Sequence, residues 1–264
     1  MTGVEPNAYG RVERTMQQRS RAVAWCAAAL CVSVSFLACP VRAEAQFPDF
    51  TGVWTTYNEP GAAGGGGRGG GPPLPMTDAA KQKVSKYQAL VQPTGDTPGG
   101  YCLGTGMPGS MLGSGGYPME IVQRPEQIMI VYEAHNEVRR VYLGDRIVPE
   151  GDRLPGRNGH SSGRWEGNML VVETSHLVEQ VDQRYAHSDK AKIVERYHLE
   201  KGPKAQTVLV AEMTMTDPVF YTAPVTMVKK WEKVPNGHLL PYECAEETWI
   251  KHLEQLENKA AGKK

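Results

Sequence analysis

The stretch GHSSGRWEGNMLVVET, Gly159 to Thr174, decides the fold. Arg164 and Trp165 lead into Glu166-Gly167-Asn168, and Met169 to Val172 continues as an apolar run ending in Glu173-Thr174. Glycine and asparagine in that centre supply the positive φ of a tight reversal, so the stretch reads as a β-hairpin. His160 stands just before it among Gly and Ser, with no apolar neighbour to explain it. A histidine, an arginine, a tryptophan and a carboxylate within seven positions also suit a binding or catalytic rim.

Outward from the hairpin the same texture repeats. Met119–Gln123, Gln127–Glu133 and Val138–Leu143 precede it as short strands. Lys192–Leu199, Gln206–Thr216, Thr222–Lys233 and Leu239–Cys244 follow, and Phe47–Tyr57 opens the set. About ten strands in hairpin-sized steps leave no room for βαβ units, and closure into a barrel hides the edges. The expected fold is therefore an all-β antiparallel barrel. Thr77 caps a short helix over Asp78–Leu90, with Val84, Tyr87 and Leu90 as a partial apolar stripe. A second helix over Glu246–Leu256, with Trp249, Ile250, Leu253 and Leu256 at helical spacing, is expected to pack outside the barrel. Gly61–Pro75 is too rich in Gly and Pro for regular structure, and Pro93–Tyr117 reads as a long wrapped loop.

Residues 1–45 read as a signal peptide. Arg11, Arg14, Arg19 and Arg21 form a basic lead, Ala22–Ala38 is apolar, and Ala43-Glu44-Ala45 is a small-x-small cleavage site. Cleavage there leaves residues 46–264 as one domain in the periplasm or outside the cell, with no membrane insertion after the leader is removed. It also removes five of 29 basic and three of 29 acidic residues, leaving 24 against 26. That balance, without a basic block, excludes a nucleic-acid partner. Of the five cysteines, Cys26, Cys31 and Cys39 leave with the leader. Cys102 and Cys244 remain in an oxidising compartment, where a disulfide is the expected state, tying the start of the fold to its last strand.

Gly52-x-Trp54 near the mature start resembles the opening of lipocalin-like (calycin) barrels, whose Gly-Trp pair closes the barrel base. More of the chain resembles an uncharacterised family of secreted bacterial proteins. The matching segments are PDFTGVW at 48–54, Cys102 with Met107-Pro108, GHSSGRWEGNMLVVET at 159–174, HSDKAKIVERY at 187–197, DPVFYTAP at 217–224 and YECAEE at 242–247. The resemblance implies a shared lipocalin-like barrel and a pocket, and carries no activity.

For chemistry, His160 and His187 precede strands, where a barrel mouth would be, and an imidazole titrates near neutral pH. They are the candidate bases, with Arg164 steadying a developing oxyanion. Tyr132, Trp165, Glu195 and Tyr221 are the candidate ligand-binding residues; each also has a plain structural role as core, turn or cap. The expected partner is a small aromatic or apolar molecule. Lyase or isomerase chemistry without a cofactor is the leading expectation, a non-catalytic carrier the second, and an envelope structural or interaction protein the third. Dinucleotide fingerprints and a serine-hydrolase elbow are absent, so no cofactor is expected. No metal is expected either, because His-x-His, His-Glu-x-x-His and paired-Cys spacings are missing. A metal would have to be assembled from His160, His187 and a distant carboxylate.

Overall fold

The computed structural model describes residues 47–58, 73–113, 116–260 and 262. The signal-peptide expectation over 1–45 and most of the Gly-rich stretch 61–75 lie outside the described residues. Nine strands close into a barrel in chain order: β1 (Gly52–Thr56), β2 (Met119–Arg124), β3 (Gln127–Tyr132), β4 (Val138–Leu143), β5 (His160–Glu166), β6 (Met169–Ser175), β7 (Lys192–Lys201), β8 (Thr207–Thr216) and β9 (Val225–Val234). The ring shuts where β9 returns to β1, Thr56 pairing with Trp231.

The deciding stretch folds as read. β5 and β6 pair from His160↔Ser175 to Glu166↔Met169, leaving Gly167 and Asn168 as a two-residue loop. Only Gly167 takes positive φ, at 61°, as the first position of such a loop demands. Gly163, farther back on β5, is needed for a different reason. A Cβ there would lie 2.8 Å from Leu143 Cδ2 and 2.9 Å from Val141 Cγ1, inside the packed wall.

Three expectations are corrected. The barrel is mostly, not wholly, antiparallel: β4 and β5 run parallel, with Val141 opposite Ser161. Residues 144–159 recross the barrel before β5 begins, and a parallel neighbour needs a connection of that length. Second, Leu239–Cys244 forms no strand; Cys244 instead opens a helix, Cys244–Ala260. Pro241 removes a donor just before it, and a pyrrolidine ring suits a strand interior poorly. Third, among the described residues that helix packs chiefly on a turn and not on the strands. It contacts the 3-10 turn Pro98–Tyr101, and Ile250 and Leu253 are exposed. The side chains of Trp249 and Leu256 lie outside the described residues.

Numbering helices in chain order, α1 is Asp78–Val91, α2 is Gly109–Gly113 and α3 is Cys244–Ala260. α1 starts where its cap predicts, Thr77 accepting from Ala80 N at 3.2 Å. Cys102 and Cys244 form a disulfide, with Cα atoms 5.5 Å apart. It joins the 3-10 turn to α3 rather than to a strand.

Inward positions alternate along every strand, as the pleat requires. They fill the interior with Ile121, Ile128, Ile130, Val141, Leu170, Val172, Ile193, Leu209 and Met213, all buried in one core. The base is closed by Trp54, which is fully buried and donates Nε1 to Phe50 O at 2.8 Å. Trp165 stacks on Phe47 there, ring centroids 4.7 Å apart. The opposite end, the mouth, is where β3, β6 and β8 finish. It is covered by Met107 and Met111, by Ala80 of α1, and by Leu177, Ala186, Phe220 and Tyr221 from the β6–β7 and β8–β9 connections. No helix among the described residues is long and apolar enough to cross a membrane.

Candidate functional site

Polar chemistry inside the barrel concentrates on residues that strand alternation turns inward. Arg139 shares its face of β4 with Val141 and Leu143, and Glu195 shares its face of β7 with Ile193 and Tyr197. Arg139 Nη1 donates to Glu195 Oε1 at 3.0 Å, and Nη2 to Oε2. Arg139 Nε and Nη2 also reach Ser161 Oγ at 3.1 and 3.0 Å, and Nη2 reaches Thr174 Oγ1 at 2.9 Å. Tyr197 donates its hydroxyl to Glu195 Oε1 at 2.5 Å. Every member is buried. Burial opposes the charge on Arg139, but Glu195 and Tyr197 more than offset it and hold the guanidinium charged. Burial, then the Glu195 charge, pushes the Tyr197 phenol well up, so it stays protonated. A network this completely satisfied fixes the wall and leaves little free valence for a ligand.

The candidate residues separate. His160 is buried but alternates outward, stacking on Tyr142 with centroids 5.2 Å apart and planes 11° apart. Burial, then Arg153 and His176, lowers its pKa, and its Nε2 has no hydrogen-bond partner among the described residues. His187 is fully buried in the β6–β7 connection, where its backbone pairs with Gln180 and its Nδ1 lies 3.0 Å from Tyr185 O. Burial holds its pKa down against the Tyr185 carbonyl and Asp217, and among the described residues its Nε2 is likewise without a hydrogen-bond partner. Both histidines belong to the mouth end, because β5 begins where β6 finishes and β7 starts. Arg164 does not join them. Strand alternation turns it outward, where its Nε meets Glu166 at 2.9 Å and its Nη1 meets Glu173 at 2.6 Å, all three exposed.

The candidate ligand-binding residues also divide. Trp165 is at the base and Glu195 is in the closed network. Tyr221 is buried and donates to Ala186 O at 2.7 Å; burial, then Asp217, pushes its phenol up. Tyr132 is buried at the mouth, where its hydroxyl meets Met111 Sδ at 2.7 Å, and burial pushes its pKa up.

Tyr132 borders a crevice that none of the sequence signals singled out. It is lined by Thr56, Ser110, Met111, Gly116, Tyr117, Met119, Tyr132, Lys229 and Trp231, and as it stands has room for little more than one water molecule. Lys229 faces inward with Val225, Met227 and Trp231, the only charge in that run of β9. It has no hydrogen bond or ion pair among the described residues, and burial lowers its pKa. Other inward charges are occupied: Arg139 and Glu195 by each other, and Lys233 over the Trp54 ring at 5.6 Å. The signal was present in VTMVKKWEKV, where period two places Lys229 with Met227 and Trp231.

Neighbouring segments hold the crevice in place. Glu137 accepts from Gly106 N at 3.0 Å and Ser110 Oγ at 2.9 Å. Arg157 donates to Gly104 O at 2.8 Å and pairs with Asp182 at 2.6 Å, while Gln180 Nε2 reaches Thr105 O at 2.9 Å. These contacts seat Met107 and Met111 over the barrel. Among the described residues no group of three or more His, Cys, Asp or Glu is placed to hold a metal ion.

Compared with known proteins, the chain matches no family and no curated protein. The family-level expectation thus reduces to its coarse part, a closed nine-stranded β-barrel.

Proposed function

We propose that this protein binds a small anionic molecule with an apolar or aromatic body at the mouth of its barrel, as a carrier. The observation behind the reading is Lys229, an inward ammonium without a counter-charge among the described residues, in a crevice that Trp231, Tyr132 and Met111 also line. A part-desolvated, unpaired cation beside aromatic walls favours an anionic head on a flat apolar body. Met111 fills the adjoining space, and an unbranched thioether is the side chain that yields most readily to an incoming ring. The ligand's anionic head then replaces Met111 Sδ as the acceptor for the Tyr132 hydroxyl.

The histidine-based lyase or isomerase reading has less behind it. His160 alternates outward and His187 is enclosed in a connection, and neither lines the Lys229 crevice. An exported location is supported by the Cys102–Cys244 bridge, a bond that persists in oxidising compartments.

Titration calorimetry with benzoate tests the carrier reading, comparing the unaltered protein with Lys229→Gln. Saturable binding that Lys229→Gln weakens by about tenfold or more is expected, the scale of one charge-assisted hydrogen bond. Equal binding by both proteins, or none by the unaltered one, overturns it.

A further inference from the structure

Lys229 has a second chemical capacity, and the case for it rests on the mouth crevice being the binding site. We infer that Lys229 Nζ captures small aldehydes or ketones there as a reversible imine. Three features of the site converge. The side chain faces inward and lines the crevice together with Trp231 and Tyr132, so a carbonyl compound bound there lies beside Nζ. Among the described residues no carboxylate pairs with the amine, so no counter-charge adds to its hold on the proton. The residue beside it, Lys230, faces the other way on β9 and is paired with Glu200 at 2.9 Å. One strand therefore carries two adjacent lysines in opposite environments. Burial of Lys229, which favours the neutral form, acts in the same direction as the geometry.

The chemistry balances without an added reagent. The neutral amine attacks the carbonyl carbon, a C–N bond forms, and the carbonyl oxygen takes up a proton to give a carbinolamine. Loss of that hydroxyl with the remaining N–H hydrogen releases one water and leaves C=N. No electron transfer is involved, and hydrolysis returns amine and carbonyl. The crevice also carries hydroxyls for the departing oxygen, Thr56 and, once Met111 has moved, Tyr132. The Tyr132 phenol stays protonated because burial pushes its pKa up. The crevice as it stands holds about one water, so a carbonyl compound must displace Met111, and short ones displace it least.

The test is borohydride trapping. The protein is incubated with limiting propanal at neutral pH, reduced, digested and mapped by mass spectrometry, with Lys230 as the internal reference. Propyl-lysine at Lys229 should exceed that at Lys230 by about tenfold, the advantage of a desolvated over a solvated, paired amine. Lys229→Arg, which keeps the charge, should abolish that excess, with its fold checked by circular dichroism. Equal labelling of the two lysines overturns the inference. Benzoate binding by the same preparation separates the two claims. Binding without the Lys229 adduct overturns the imine alone; an adduct without benzoate binding overturns the anion reading and leaves the imine standing. Absence of both overturns both.

Discussion

Arg139 on β4 and Glu195 on β7 meet through both guanidinium arms inside the barrel, although β5 and β6 separate their strands in the wall. Both intervening strands contribute an oxygen to the pair, Ser161 from β5 and Thr174 from β6. Four consecutive strands are thus held to one guanidinium. Replacing Glu195 by leucine leaves that charge buried and alone, and should cost about 3–5 kcal/mol in chemical denaturation. The double replacement Arg139→Met with Glu195→Leu should recover most of the loss, since no charge is then stranded. A double variant as unstable as the single one would mean that packing, not the orphaned charge, sets the cost.

Trp54 supplies the base. It is fully buried, bonded to Phe50 O and covered by Lys233. Trp54→Ala should cost about 3–5 kcal/mol, the range for large aromatics removed from a core. A guanidinium chloride midpoint nearly unchanged in the variant would contradict its place as the plug.

Trp54 and the Arg139–Glu195 pair were open to inspection in the sequence to different degrees. Trp54 announces itself as the large apolar member of a short strand beside Gly52. The β5–β6 hairpin was legible for a similar reason: turn chemistry and apolar alternation are local, and both agreed. Glu195 was a candidate on its strand, but Arg139 was hidden because a charged residue in a strand is read as solvent-facing unless its parity is followed. In VRRVYL and KIVERYHL the parity places each with apolar neighbours, so the signal existed. Which inward charges meet across the lumen depends on register summed over several strands, and no local pattern carries that. The parallel β4–β5 step was illegible for a like reason, since nothing in 144–159 says which way the chain re-enters the sheet. Arg164 was singled out for its neighbours rather than its parity, and parity sends it to solvent.

Arg164 gives a direct check of that parity. Its partners Glu166 and Glu173 are as exposed as it is, and exposed ion pairs contribute little. Arg164→Ala should leave both the denaturation midpoint and benzoate affinity unchanged. A loss of affinity comparable to that from Lys229→Gln would put the binding site on the outer face of the hairpin instead.

The disulfide has two separable effects. Cys102 and Cys244 are 142 residues apart in sequence, so the bridge closes a loop containing β2 to β9. Replacing both by serine should lower stability by roughly 3–5 kcal/mol, chiefly through the freed unfolded chain. Among the described residues α3 packs chiefly on the 3-10 turn Pro98–Tyr101, which carries Cys102 at its end, so its amides should lose protection in hydrogen exchange while β7 and β8 keep theirs. Unchanged protection across α3 would mean that other contacts hold the helix.

His187 sets a pH dependence whose direction follows from its surroundings. Burial outweighs the Tyr185 carbonyl and the Asp217 charge, so the folded pKa lies below the ordinary 6.5. Below 6.5 the unfolded chain takes up a proton that the folded protein refuses. The unfolded state then binds more protons, and stability rises with pH. The contribution is complete above 6.5 and is lost as the pH falls through the folded value. Burial also lowers the pKa of His160, which adds to the slope in the same window. Denaturation midpoints measured between about pH 5 and 7.5, where an unperturbed imidazole changes charge, should therefore fall on the acid side. His187→Gln keeps an N–H for the Tyr185 carbonyl and removes the titrating ring, so it should flatten much of that fall even where it lowers the midpoint at pH 7.5. His160→Gln should flatten a smaller part, because its ring is less deeply enclosed. A full acid-side slope in His187→Gln would show that protonation of this imidazole is not what destabilises the fold.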